Sequence, residues 1–181
     1  MTIIVGLGNP GKEYKNTRHN LGWLFLETLQ NQSGLEFTPW KKLIKVKGEI
    51  SQSLGKKFLL LKPQTFMNES GQSVSAALRY YKIKPANLVV AHDDLDLPVG
   101  SFKIQTNRGA AGHHGVESII ASLGTKNFTR LRLGIKPLKP TRQDKNFVLS
   151  SFSKEEKQLV SKTIDKIIHN TKIWDFKNIQ N

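Results

Sequence analysis

The chain has 181 residues, 38% of them hydrophobic and 23% charged, which fits one domain with a sizeable core and excludes a disordered chain. It carries 28 Lys+Arg against 14 Asp+Glu, a formal net charge of +14, and no cysteine. That balance points to a polyanionic partner, nucleic acid ahead of an anionic membrane surface, and the lack of thiols excludes disulfide scaffolds, thiol catalysis and cysteine-bound zinc.

In chain order, residues 2–8 read as a short buried strand that enters the loop Asn9-Pro10-Gly11. A helix is expected over about 20–32, with Leu21, Leu24, Phe25 and Leu29 on its buried face. Residues 43–52 and 57–62 read as two strands joined near Gly55. Ser70 is placed to cap a helix over about 71–82, which Pro85 follows. Residues 88–92 form an apolar strand that ends at the acidic run Asp93-Asp94-Leu95-Asp96. A strand at 101–105, a glycine-containing loop at 107–115 and a helix at about 115–123 come next. Residues 130–135 alternate basic and apolar, as a half-buried strand does, and 137–150 read as a loop. Ser153 and Glu156 make a capping box for a helix to about 170, with Leu159, Val160, Ile164, Ile167 and Ile168 buried. Strands alternating with helices predict a single-domain α/β fold, a twisted mixed sheet with helices on both faces (a three-layer αβα sandwich), and the 43–62 hairpin makes the sheet mixed.

No apolar run approaches the ~20 residues of a membrane span, and no basic segment precedes the apolar N-terminus. The expectation is a cytoplasmic protein with no membrane contact. Residues 121–181 hold 13 of the basic and 5 of the acidic side chains, so the anion-facing surface is expected in the last third.

Two phosphate-loop patterns overlap at the first turn. Gly6 to Gly11 matches G-x-G-x-x-G, but Pro10 removes an N–H that a pyrophosphate would need. Gly6 to Lys12 matches G-x-x-x-x-G-K, but Glu13 stands where a magnesium-binding Ser or Thr is required. The simpler reading is a tight turn that uses glycine for its dihedral freedom.

The polar residues that can carry chemistry are Asn9, His19, Asn68, Asp93, His113 and His114. Open α/β sheets bind ligands at the C-terminal edge of their strands. Asn9, Asn68 and Asp93 all follow strands, so three loops are expected to converge there. A histidine paired with a carboxylate works as a general base, because the carboxylate fixes the ring tautomer and stabilises the imidazolium. With no cysteine and no G-x-S-x-G elbow, that base would activate water directly, and asparagine amides would position the water or hold an oxyanion. No histidine spacing matches a metal site, so no metal is expected.

At these residues the sequence resembles the bacterial-type peptidyl-tRNA hydrolase family over nearly its whole length. The blocks are Val5 to Gly11 with Tyr14 and Thr17 to Gly22, then Lys62 to Gly71, His92 to Gly100, Gly112 to Gly115, and Arg130 to Ile135. The resemblance implies His19 as catalytic base, oriented by Asp93, and Asn9 and Asn68 binding the peptide portion and placing water or oxyanion. It further implies Tyr14 at the substrate's 3′ end, Met67 and His113 lining the pocket, and Lys103, Arg130 and Arg132 contacting tRNA phosphate. The reaction implied is hydrolysis of the ester between a peptide and the 3′-terminal ribose of tRNA, by a monomer without metal or organic cofactor. The partner implied is the tRNA acceptor stem and 3′ end, with Lys139, Arg142 and Lys145 along the stem.

Two departures stand out. His114 takes the place of a substrate-touching Asn, and Gln105 the place of a phosphate-clamping Lys. Protonation of His114 beside His19 is expected to steepen the loss of activity in acid. Two other readings are a non-catalytic RNA-binding protein on the same scaffold and a small-molecule acyl hydrolase. The joint presence of His19, Asp93, Asn9 and Asn68 argues against the first, and the net charge against the second.

Overall fold

The computed structural model describes residues 1–137 and 146–170. Seven strands form one sheet: β1 (Thr2–Gly6), β2 (Lys41–Leu43), β3 (Gly48–Gln52), β4 (Phe58–Pro63), β5 (Leu88–Pro98), β6 (Phe102–Thr106) and β7 (Thr129–Lys136), in the order β2-β3-β4-β1-β5-β7-β6. The central strands β4, β1, β5 and β7 are parallel, while β3 and β6 join them antiparallel. The loops after β1 and β4 therefore open at the same edge, where β5 carries Asp93, as the expected convergence requires.

Four helices cover the sheet: α1 (Leu21–Gln32), α2 (Ser70–Tyr81), α3 (His114–Leu123) and α4 (Lys154–His169). Alternation along the strands sorts the core into two layers. Ile4, Leu60 and Val89 face α1 and α4, while Ile3, Val5, Leu61 and Val90 face α2 and α3. This is the three-layer sandwich expected. On α1 the buried residues are Leu21, Phe25, Leu26 and Leu29, and Leu24 turns outward, 43% exposed.

The first turn corrects the reading of its glycines. Only Gly11 sits at positive φ, +124°. Gly6 instead answers to packing: a Cβ there would lie 2.2 Å from the carbonyl oxygen of Gly22, and one on Gly22 would lie 2.4 Å from the backbone of Leu7 and Ala91. The paired glycines let the start of α1 rest directly on β1 and β5. That contact fixes the height of the turn just before α1.

Three element boundaries differ from expectation. The strand expected at 43–52 is split by a 3₁₀ turn, Ile44–Val46, that ends on Lys47 in the left-handed region. β5 runs six residues beyond His92, through the acidic run, because Asp93 and Asp94 find partners inside the structure. Ser70 does not cap α2. A 3₁₀ turn at Met67–Glu69 runs straight into the helix, and Ser118 of α3 accepts the Gly71 N–H at 3.0 Å. The capping box of Ser153 and Glu156 on α4 is present, with both reciprocal bonds formed.

Candidate active site

His19 lies in a 3₁₀ turn, Arg18–Asn20, that leads into α1. Its neighbours hold the turn on both sides. The Asn20 side chain accepts the Asn9 N–H at 2.9 Å and donates to the Asn9 carbonyl at 3.0 Å. Arg18 donates its backbone N–H to Ser150, 2.9 Å away. The Arg18 guanidinium is buried between the rings of Phe147 and Phe152, 4.5 and 4.6 Å from their centroids, and bonds both carboxylate oxygens of Glu156 at 3.2 and 2.7 Å. Burial pushes the Glu156 carboxyl up, but the Arg18 hydrogen bond, the Ser153 N–H and the charge of Arg18 together hold it below the usual range.

From this turn the His19 ring reaches Asp93, with Nδ1 2.9 and 3.0 Å from the two carboxylate oxygens. Asp93 is 2% exposed. Burial alone would raise its pKa, but two imidazoles overrule that and hold it ionised. The second is His113, whose Nε2 lies 3.0 Å from Asp93 Oδ1. An ionised carboxylate only accepts, so both rings present N–H to it. His19 Nε2 is thereby left bare, the form a general base needs.

His113 is also the N-cap of α3, where its Nδ1 accepts the backbone N–H of Gly115 and Val116. A third ring completes the group. His92 Nδ1 lies 2.7 Å from the Asp93 carbonyl oxygen, and the ring meets His113 edge-on at 4.7 Å between centroids. Burial first, and the neighbouring His113 second, push the His92 pKa down to about 3. His19, Asp93 and His113 are the one cluster among the described residues with three close potential metal donors. Their donor atoms point at one another in hydrogen bonds, and a cation would have to break both bonds to enter.

A cavity of about 210 Å³ opens beside this group, walled by His19, Asp93, Asp94, Leu95, Asp96, residues 110–114 and Val148. The expected site residues divide around it. His19, Asp93 and His113 meet there, and His114 stands at its rim. The His114 ring is 74% exposed and bonded to Glu117 at 3.1 Å, so its charge is solvated and balanced rather than pressed against His19. The expected steepening in acid loses its basis. Asn9 is buried, and its Oδ1 accepts the Met67 N–H at 2.8 Å, so only its amide NH₂ remains for a ligand. Met67 is buried, Asn68 is exposed on the turn before α2, and Tyr14 is half-buried. None of these four lines the cavity.

A second cavity, of about 370 Å³, shares Asp94, Asp96, Ala110 and Ala111 with the first and is backed by His92, Gln105, Arg108, Arg130 and Arg132. Here the basic residues of β7 depart from their expected solvent exposure. Arg132 is mostly buried, bonds Asp94 at 2.6 Å and Gln105 at 2.6 Å, and lies 3.7 Å from Asp96. The bond to Asp94 raises the pKa of Arg132. Arg130 is 3% exposed and donates to the Gly109 carbonyl at 2.5 Å. Of the three cations expected at phosphate, only Lys103 is exposed. Lys139, Arg142 and Lys145 lie outside the described residues.

The family model described as peptidyl-tRNA hydrolase matches residues 3–181. The chain belongs to that family. It is similar to the peptidyl-tRNA hydrolase of Desulfitobacterium hafniense, at 42% identity over 96% of this chain and 92% of that protein. Against the Rickettsia africae peptidyl-tRNA hydrolase the identity is 40%, over 98% of each chain. Among solved structures, the peptidyl-tRNA hydrolase of Acinetobacter baumannii superposes with a TM-score of 0.83 at 34% identity, covering 98% of this chain and 93% of that one. Three things in this peptidyl-tRNA hydrolase family member had no sequence signal: the Arg18–Glu156 clamp, the lock between Asn20 and Asn9, and the part played by His92. Their partners lie 138, 11 and 1 residues away, at spacings without periodicity.

Proposed function

We propose that this chain hydrolyses the ester between a peptide and the 3′-terminal ribose of tRNA, releasing both. The observation that carries the reading is the Asp93–His19 pair in a chain of this family, which leaves His19 Nε2 free to take a proton from water. The hydroxide formed attacks the ester carbonyl. The tetrahedral oxyanion needs donors, and the free amide of Asn9, the exposed amide of Asn68 and backbone N–H groups of the neighbouring loops are those at hand. The imidazolium, steadied by Asp93, returns the proton to the leaving 3′-oxygen. Water, His19 and Asp93 account for every proton moved.

Tyr14, Met67, His113 and His114 are assigned to the surroundings of the substrate's 3′ end and peptide. Lys103 is the exposed phosphate contact. Arg130 and Arg132 shape the β7 face from within, with Arg132 reaching phosphate through its edge toward Asp96. An acceptor stem met through backbone and shape suits an enzyme that serves many tRNAs. The chain is read as a monomer acting in the cytoplasm, where translation runs.

The test is His19→Ala, assayed on N-acetyl-aminoacyl-tRNA. Turnover should fall by about 10²–10⁴-fold or more while tRNA binding persists. Turnover near that of the unaltered protein would end this reading.

A further inference from the structure

We infer that His113 is a positioning residue that divides the Asp93 carboxylate with His19 and so sets the pH at which His19 becomes a free base. The inference rests on the proposed role of His19. It starts from a count of protons. The two backbone N–H groups at the start of α3 both point at His113 Nδ1, at 3.1 and 3.4 Å. That nitrogen therefore carries a lone pair, and the ring proton sits on Nε2. Nε2 faces Asp93 Oδ1 at 3.0 Å, and His19 Nδ1 faces the same oxygen at 2.9 Å. The helix thus fixes a tautomer that always donates to Asp93.

A carboxylate that accepts a second strong hydrogen bond has less negative charge to offer the first donor. Asp93 consequently stabilises the His19 imidazolium less than an unshared aspartate would, and His19 gives up its proton at lower pH. The same ring is kept from turning away by its neighbours. His92 lies edge-on to it at 4.7 Å, and the His19 ring lies at 5.1 Å, tilted by 41°.

The other charged groups around His19 do not take over this role. From β5, Asp94 is engaged by Arg132, and Asp96 is largely in solvent, its side chain 76% exposed. From α3, His114 is paired with Glu117 and exposed. The adjoining Arg18 is neutralised by Glu156 of α4. His92 bonds the backbone carbonyl of Asp93 at 2.7 Å, which leaves His113 as the side chain, among the described residues, that bonds the Asp93 carboxylate alongside His19.

The experiment compares kcat/KM from about pH 5 to 9 for the unaltered protein, His113→Asn and His113→Gln. Asn is a good N-cap and preserves α3, but it is too short to donate to Asp93. Gln reaches Asp93 with an N–H and gives up the cap. The acid limb of His113→Asn should move to higher pH by about half to one unit, the scale of one lost hydrogen bond. His113→Gln should move it back toward the original position. An unmoved limb in a folded His113→Asn protein would mean that the ring only caps the helix. Should the Asn variant fail to fold, ¹⁵N correlation spectra of the unaltered protein decide the matter. They should show His113 protonated at Nε2 and bare at Nδ1, and the opposite tautomer overturns the inference. An active His19→Ala protein would instead sink the reading beneath it, so the two failures are told apart.

Discussion

At the scale of single residues, Asp93 carries two obligations, and a substitution must answer to both. An asparagine there keeps Oδ1, which both rings face, but puts an NH₂ donor in place of Oδ2, 3.0 Å from His19 Nδ1. The His113 tautomer is fixed by α3, so His19 must be the ring that turns over, placing its proton on Nε2 and losing the lone pair that attacks water. Asp93→Asn should therefore lower kcat by about 10²–10⁴-fold, nearly as much as His19→Ala, with little change in KM. A loss below tenfold would show that the tautomer is not what Asp93 controls. The residue types were legible in the sequence, because a histidine, an acid and two asparagines sat after strands. The division of labour among them was not. Asn9, read as a ligand for peptide, also accepts the Met67 N–H, and His113, read as pocket lining, lines the cavity and also bonds Asp93. Both facts depend on which atom of a side chain faces which neighbour, and residue spacing does not encode that.

Among elements, the central parallel strands were readable as short continuous apolar runs and the helices by their period. β1, buried at four successive positions, and α4 are the clearest cases, and α4 also displays its cap. The failures fell where polarity stands in for a boundary. The acidic run appeared to end β5, and the arginines of β7 appeared to face water, yet the two interruptions pair with each other, Arg132 with Asp94, inside the sheet edge. The link between α4 and the turn that carries His19 was equally hidden. Glu156 serves two elements at once, as the reciprocal partner of Ser153 and as the anion for Arg18. Removing it with Glu156→Ala leaves a buried cation unpaired between two phenyl rings. Unfolding experiments should register a loss of about 3 kcal/mol, as for other buried pairs broken on one side. The fall in kcat should exceed the change in KM, since the turn loses its anchor while the basic surface stays. A variant with unaltered stability would place the clamp among surface ion pairs.

For the molecule as a whole, acid acts through the buried rings and carboxylates. His92 has its pKa pushed down to about 3, against ~6.5 for a histidine in an unfolded chain. Between those values the unfolded chain binds a proton that the folded chain refuses, so stability is lost as pH falls from about 6.5. Asp93, Asp94 and Glu156 are shifted down, and their contribution is present above the ordinary carboxylate range near 4 and fades below it. In urea titrations, the drop in unfolding free energy from pH 7 to pH 5 should be smaller by about 2 kcal/mol in His92→Asn than in the unaltered protein. Equal drops would mean that His92 takes up a proton while folded. Binding of tRNA should weaken steeply with salt, and Lys103→Ala should lower the log–log slope by about one, the effect of one phosphate contact. An unchanged slope would remove Lys103 from the interface. The clamp on Arg18 has one more consequence, which concerns time. Its partners, Phe147, Phe152 and Glu156, belong to the last fifth of the chain. While a ribosome is still making this protein, the nascent chain is itself a peptide esterified to tRNA, and the turn bearing His19 waits without its anchor. The order of synthesis thus withholds the anchor of the His19 turn until Glu156 has been made.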